Sequence, residues 1–166
     1  MDLSIEKVAK IRDLSDYEIK RNKPLPDLIH AFLQPQLLFK LHLHLRDAFS
    51  VFPELDLLMP EKPIAVPDIA IYPKMKVDFS KDILIMEEMP LTTIEILTPP
   101  QGEDDMISRA ERYFAAGIKS CWIVMPIPKI IIVYASPTQR QVFTEDMTLI
   151  DKITNIELPL SDVFNS

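Results

Sequence analysis

The chain has 166 residues, 48% of them hydrophobic and 26% charged, enough for one domain with a proper core and too apolar for disorder to be its main state. Its net charge of −7 argues against a dedicated nucleic-acid binder of the basic-patch kind, yet leaves room for an enzyme that meets phosphate through a metal ion. The imbalance lies in residues 63–166, with 15 acidic and 9 basic side chains, against 10 and 9 in residues 1–62.

The single cysteine, Cys121, stands in the apolar run Cys121-Trp122-Ile123-Val124. It permits no internal disulfide, suits a reducing cytosol, and reads as a buried structural thiol. The segment Met1 to Lys7 has no apolar signal core, and no run of 18 apolar residues exists. The expectation is a cytoplasmic protein without a membrane span. Glycine is confined to Gly102 and Gly117, while 15 prolines do the punctuation. Without a repeat or a long linker, residues 1–166 read as a single domain.

Tyr17-Glu18-Ile19 reads as a short strand, followed by a basic turn and Pro24-Leu25-Pro26. From Asp27 to about Phe49, Leu28, Phe32, Leu33, Leu37, Leu38, Leu41, Leu45 and Phe49 recur at helical spacing, with Asp27 as N-cap. Pro35 inside this run should kink it or mark a start. Strands are predicted over Val51–Leu58, Ala65–Tyr72 and Leu91–Leu97, the last rich in β-branched residues. Residues 73–90 form a long polar connection with room for a small helix or strand. Asp104–Ala116 is an amphipathic helix with Met106, Ala110, Tyr113 and Phe114 as its apolar stripe, and Gly117 fits the left-handed position after it. Ser120–Met125 looks like a fully buried strand. Lys129–Tyr134, Gln141–Thr144 and Thr148–Ile153 look like the remaining strands of a meander. The class is α/β (α+β), a mixed central β-sheet flanked by helices.

Two carboxylates stand out against this frame. In Val66-Pro67-Asp68-Ile69-Ala70-Ile71-Tyr72 the proline fits the start of a strand, and Asp68, Ala70 and Tyr72 share a face. Glu95 interrupts Leu91-Thr92-Thr93-Ile94-Glu95-Ile96-Leu97, otherwise apolar or β-branched. A carboxylate in mid-strand is costly unless paired, hydrogen-bonded or metal-bound. If the two strands are neighbours, both carboxylates can converge on an oxygen-loving cation such as Mg²⁺. The plainer readings are a Pro-Asp turn and an edge glutamate paired with a lysine. On the following helix, Asp105 and Arg109 stand four apart. They form either an exposed ion pair worth a few tenths of a kcal/mol, or place Arg109 where it meets a substrate phosphate.

These residues carry a resemblance. Val66-Pro67-Asp68, Ile94-Glu95-Ile96-Leu97-Thr98-Pro99, the stretch from Asp105 through Arg109 to Tyr113, Ala116-Gly117-Ile118 and Cys121-Trp122-Ile123-Val124 resemble, in that order, the bacterial putative restriction endonuclease family. That family belongs to the PD-(D/E)xK nuclease superfamily. Tyr17-Glu18 and the stretch from Pro24 to His30 resemble its N-terminal pattern, so the likeness runs from about Tyr17 to Phe164. It implies a restriction-endonuclease-like fold and Mg²⁺- or Mn²⁺-dependent cleavage of DNA phosphodiesters by a homodimer. Asp68 and Glu95 match the metal-binding pair, and Glu18 matches an N-terminal acidic residue able to join it. The superfamily's lysine place, two residues after the glutamate, holds Leu97. The family's alternative lysine, on the next helix, is Arg109. Met125 stands where the family tends to have an aspartate after the tryptophan strand.

A lysine can lose its proton in a low-dielectric site and act as a base, whereas arginine in practice cannot. Arg109 can still hold phosphate and developing negative charge. Two readings therefore stand side by side: a metal-dependent endonuclease with Asp68, Glu95 and Arg109 as its working groups, and a catalytically inactive nuclease-fold protein serving as a DNA- or protein-binding or oligomeric module. His30 reads either as a pocket-lining group or as a hydrogen-bonded structural histidine. Asp105 and Tyr113, beside Arg109, are further pocket candidates. His42 and His44 are two apart and cannot share a metal from one helix face. Neither a phosphate-binding glycine loop nor a Gly-x-Ser-x-Gly elbow is present.

Overall fold

A computed structural model describes residues 15–21, 27–61, 64–97 and 103–166. The first described element is not a strand. Helix α1 spans Asp16–Arg21. Ser15 and Glu18 form a reciprocal cap, with the Glu18 amide donating to Ser15 Oγ at 3.3 Å and the Ser15 amide to Glu18 Oε2 at 2.9 Å. That exchange satisfies two amides that a helix start leaves without partners, and it outweighs the strand preference of Tyr17 and Ile19.

Helix α2 spans Leu28–Leu45. Asp27 caps it by accepting the His30 amide at 2.8 Å. Leu33, Leu37, Leu41 and Leu45 repeat every four residues and make its buried face. Pro35 lies within the helix without ending it, on the exposed side. The helix stops short of Phe49, which instead opens strand β1 (Phe49–Pro53).

Strand β1 ends at Pro53 because Glu54 takes a left-handed conformation, φ 50°. Leu57 survives only as isolated bridges to Ala65 and Met86, and the described residues of 54–68 and 74–91 form no helix or longer strand. Strands β2 (Ile69–Pro73), β3 (Thr92–Ile96), β4 (Ser120–Met125), β5 (Ile130–Ser136) and β6 (Gln139–Thr144) complete a six-stranded sheet in the order β1-β2-β3-β4-β5-β6. Only β3 and β4 run parallel; the other neighbours are antiparallel. The parallel pair needs a crossover, which helix α3 (Glu103–Ala115) supplies. Gly117, at φ +96°, makes the turn after it.

The expected meander breaks after β6. Strand β7 (Thr148–Asp151) leaves the main sheet and pairs with β8 (Ile156–Pro159), followed by the short helix α4 (Ser161–Phe164). These last elements pack with α2 on one face of the sheet, where Leu37, Leu41, Ile71, Trp122, Val124, Leu149, Leu158 and Val163 form one core. On the other face α3 brings Met106, Ala110 and Tyr113 onto Leu57, Cys121 and Ile123. After Ser120, strand β4 is apolar because Trp122 and Val124 serve one core while Cys121 and Ile123 serve the other. No described helix is long and apolar enough to cross a membrane.

Candidate active site

Asp68 and Glu95 come from neighbouring antiparallel strands, Asp68 just before β2 and Glu95 near the end of β3. Both are buried. The last β2–β3 register pair in this direction is Ile69 with Ile94. Beyond it the Asp68 side chain takes over, its Oδ2 accepting the Ile96 amide at 2.7 Å. Asp68 is therefore not a loose turn aspartate. Its carboxylate is bonded to the backbone one residue past Glu95.

Each carboxylate has further partners. His30, on α2, sets Nε2 3.0 Å from Asp68 Oδ1. The approach is poorly aligned for a hydrogen bond, so the contact is close and polar rather than a directed bond, and His30 Nδ1 is buried without a partner among the described residues. Gln34, one helical turn on, donates to the Asp68 carbonyl at 2.9 Å. Tyr113, on α3, donates its hydroxyl to Glu95 Oε1 at 2.5 Å. Arg109, one turn earlier, places Nη1 3.5 Å from Glu95 Oε2.

The electrostatics follow from this packing. Glu95 above all, then Tyr113, Asp68 and Asp105, hold the Arg109 guanidinium above its ordinary pKa, against the opposing effect of burial. Arg109 is thus a fixed cation. Burial, reinforced by Glu95, pushes the Tyr113 phenol well above its ordinary value, so it is a neutral donor. Asp105 is exposed and exerts the weakest of these attractions on Arg109. The partner of Arg109 is Glu95, not the helix neighbour four residues away.

Of the residues singled out from the sequence, His30 contacts Asp68, Arg109 and Tyr113 contact Glu95, and the Ile96 amide next to Glu95 links the two groups through its bond to Asp68. Glu18 is buried and held in its helix cap. Among the described residues, no three His, Cys, Asp or Glu side chains lie together as a metal-binding group. The donor chemistry of the pair still suits a hard cation, since Mg²⁺ ordinarily takes one or two protein carboxylates and completes its shell with water and phosphate. Gln34 was not foreseen. The signal was its spacing, since His30 and Gln34 are two polar residues four apart on the side of the helix that carries the buried leucines. Leu97, two residues after Glu95, is buried in the α3-side core.

Residues 13–161 match the family model described as Uma2, putative restriction endonuclease. The chain belongs to this family. No curated protein sequence matches it. Among solved structures it is similar to one described as a putative nuclease belonging to DUF820 from Anabaena variabilis, with a TM-score of 0.71, 21% identity, and coverage of 85% of this chain and 83% of that one. At that identity the likeness is one of fold. The mixed sheet with helices on both faces is the fold that the Uma2 chain shares with it.

Proposed function

We propose that this chain is a Mg²⁺-dependent DNA endonuclease of the PD-(D/E)xK type, acting as a homodimer. The observation that supports this best is the junction of Asp68, Ile96 and Glu95, which fixes two buried carboxylates at one end of adjacent strands with an arginine beside them. Asp68 and Glu95 would hold the cation. When bound, Mg²⁺ supplies a Lewis acid for a phosphate oxygen and lowers the pKa of a coordinated water. Phosphodiester hydrolysis would add a water oxygen to phosphorus and break one ester P–O bond, with a proton passing from the water to the alcohol that leaves. Arg109, a permanent cation, serves as clamp for the phosphate and its developing charge. Tyr113 and His30 position Glu95 and Asp68. With a chain of net charge −7 and two carboxylates beside Arg109, attraction to phosphate at this site would have to come from that arginine together with the bound cation.

The test is nicking of supercoiled plasmid with Mg²⁺ or Mn²⁺, comparing the natural chain with Asp68→Asn and Glu95→Gln. Cleavage lost in both variants supports the reading, and equal cleavage in all three removes it.

One observation favours the second reading, a nuclease fold without catalysis. Leu97 is buried in the core, so the site's described cation is Arg109, which cannot act as a base. Under that reading the natural chain does not cut, and Arg109→Lys gains cleavage.

A further inference from the structure

We infer that α2 is a homodimer interface, two copies of this chain packing helix to helix, antiparallel, about a two-fold axis at Pro35 and Gln36. This does not depend on the nuclease reading.

The helix is apolar on both sides. Its inner face buries Leu33, Leu37, Leu41 and Leu45. Its outer face presents Leu28, Phe32, Phe39 and Leu43, which are 84%, 39%, 57% and 56% exposed. With the exposed Pro35, these positions step by four, three, four and four residues, a continuous stripe opposite the buried leucines. A helix with apolar stripes on two opposite faces is normally covered on both, and an outer stripe of two leucines and two phenylalanines is a poor surface to leave in water.

The order of the stripe selects the occupant. It reads the same from both ends, Leu-Phe then Phe-Leu, with its midpoint between Pro35 and Gln36. A two-fold contact requires such self-complementarity, because each residue meets its counterpart twice. Antiparallel pairing sets Leu28 on the partner's Leu43 and Phe32 on the partner's Phe39, large on large.

Charge selects the direction. Asp27 stands at the N-terminus of α2, whereas His42, His44 and Arg46 crowd its C-terminus. Antiparallel helices bring Asp27 to the partner's basic end and oppose the two helix dipoles. Parallel helices would place basic end on basic end. The stripe is only about 22 Å long at 1.5 Å per residue. A contact of that size makes a dimer in concentration-dependent exchange rather than a permanent one.

The experiment is sedimentation velocity on the full chain over a range of micromolar concentrations, followed by cysteine cross-linking. The natural chain should shift from monomer toward dimer with concentration. Phe39→Glu should remain monomeric with an unchanged circular dichroism melt, since Phe39 is exposed. Cys121 is buried, so introduced thiols report alone. The Leu28→Cys chain mixed with the Leu43→Cys chain should give a disulfide dimer under mild oxidation, and neither chain alone should do so. A monomer at every concentration, or self-linking of the Leu28→Cys chain, would overturn the inference.

Discussion

Asp68 accepts the amide proton of Ile96 at 2.7 Å, across two strands that have stopped pairing through their own backbones. The bond does two things at once. It lets β3 keep its donor satisfied past the end of the ladder, and it sets the distance from one carboxylate to the other. Neutralising Asp68 and removing it therefore have different consequences. Asp68→Asn keeps an oxygen for Ile96, and chemical denaturation should show it close to the natural chain. Asp68→Ala leaves a buried amide unpaired and should cost about 1–3 kcal/mol.

Arg109 and Glu95 are a half-sheltered pair whose carboxylate end is buried. Removing the cation leaves that charge uncompensated. Arg109→Ala should destabilise the fold by roughly 2–3 kcal/mol, below the range for fully buried pairs because the guanidinium keeps some contact with water. Tyr113→Phe removes a second donor to Glu95 and should cost about 1–2 kcal/mol. Urea unfolding of the two single variants and the double variant measures both effects, and a sum short of additive is expected because they share Glu95.

Asp151 ties the β7–β8 hairpin to the main sheet. Its Oδ2 accepts Ser120 Oγ at 2.6 Å and Trp122 Nε1 at 2.8 Å, and Ser120 Oγ also contacts Thr92 Oγ1 at 2.6 Å. Asp151→Ala would leave an indole N–H and a hydroxyl buried without their acceptor. A loss of about 2–4 kcal/mol is expected. Trp122 is the only tryptophan, so its fluorescence follows this event directly.

Alkaline pH should weaken the protein along a defined window. Burial pushes the Cys121 thiol from 9.0 to about 12. Burial and then the Glu88 charge push Tyr72, whose hydroxyl donates to the Glu88 carbonyl, from 10.0 to about 12. Both groups keep their protons longer in the folded chain than in the unfolded one. Their contribution is complete below pH 9 and is lost progressively as pH rises from there toward 12. The melting temperature should be level from neutral pH to about 9 and fall above it, and Cys121 should resist thiol reagents until the chain unfolds.

Gly117 has open space where a Cβ would sit, so only its φ of +96° resists substitution. Gly117→Ala should cost about 1 kcal/mol through backbone strain alone, read as a lower midpoint of thermal unfolding.

Strong periodicity and strong caps were legible in the sequence. Strand β4 falls where its apolar run does, α3 lies within one residue of the predicted Asp104–Ala116 at either end, and Asp27 caps α2. Elements decided by partners were not. Nothing in Thr148–Ile153 says that it abandons the sheet, because that choice depends on Asp151 finding Trp122 and Ser120. Strand β8 and α4 are too short for a period to form. The Ser15-x-x-Glu18 spacing carries a helix-start signal, masked in the sequence by the strand-forming look of Tyr17 and Ile19. At the site, Asp68 and Glu95 were conspicuous as charges in apolar strands. Their ties to Ile96 and Gln34 were hidden, since one is to a backbone amide and the other involves a backbone carbonyl.

Gln36 of α2 donates to the carbonyls of Asp162 and Asn165, 126 and 129 residues further along the chain. Leu158, Val163 and Phe164 complete the core that Leu33, Leu37 and Leu41 begin. During synthesis at roughly 5–20 residues per second, α2 therefore emerges several seconds before its inner face can be closed. Its outer stripe is apolar as well, so for that interval it carries two uncovered apolar faces. Synthesis delivers this helix early and the cover of its inner face late, so the order of the chain leaves its leucines open to unproductive contacts until the C-terminal segment arrives.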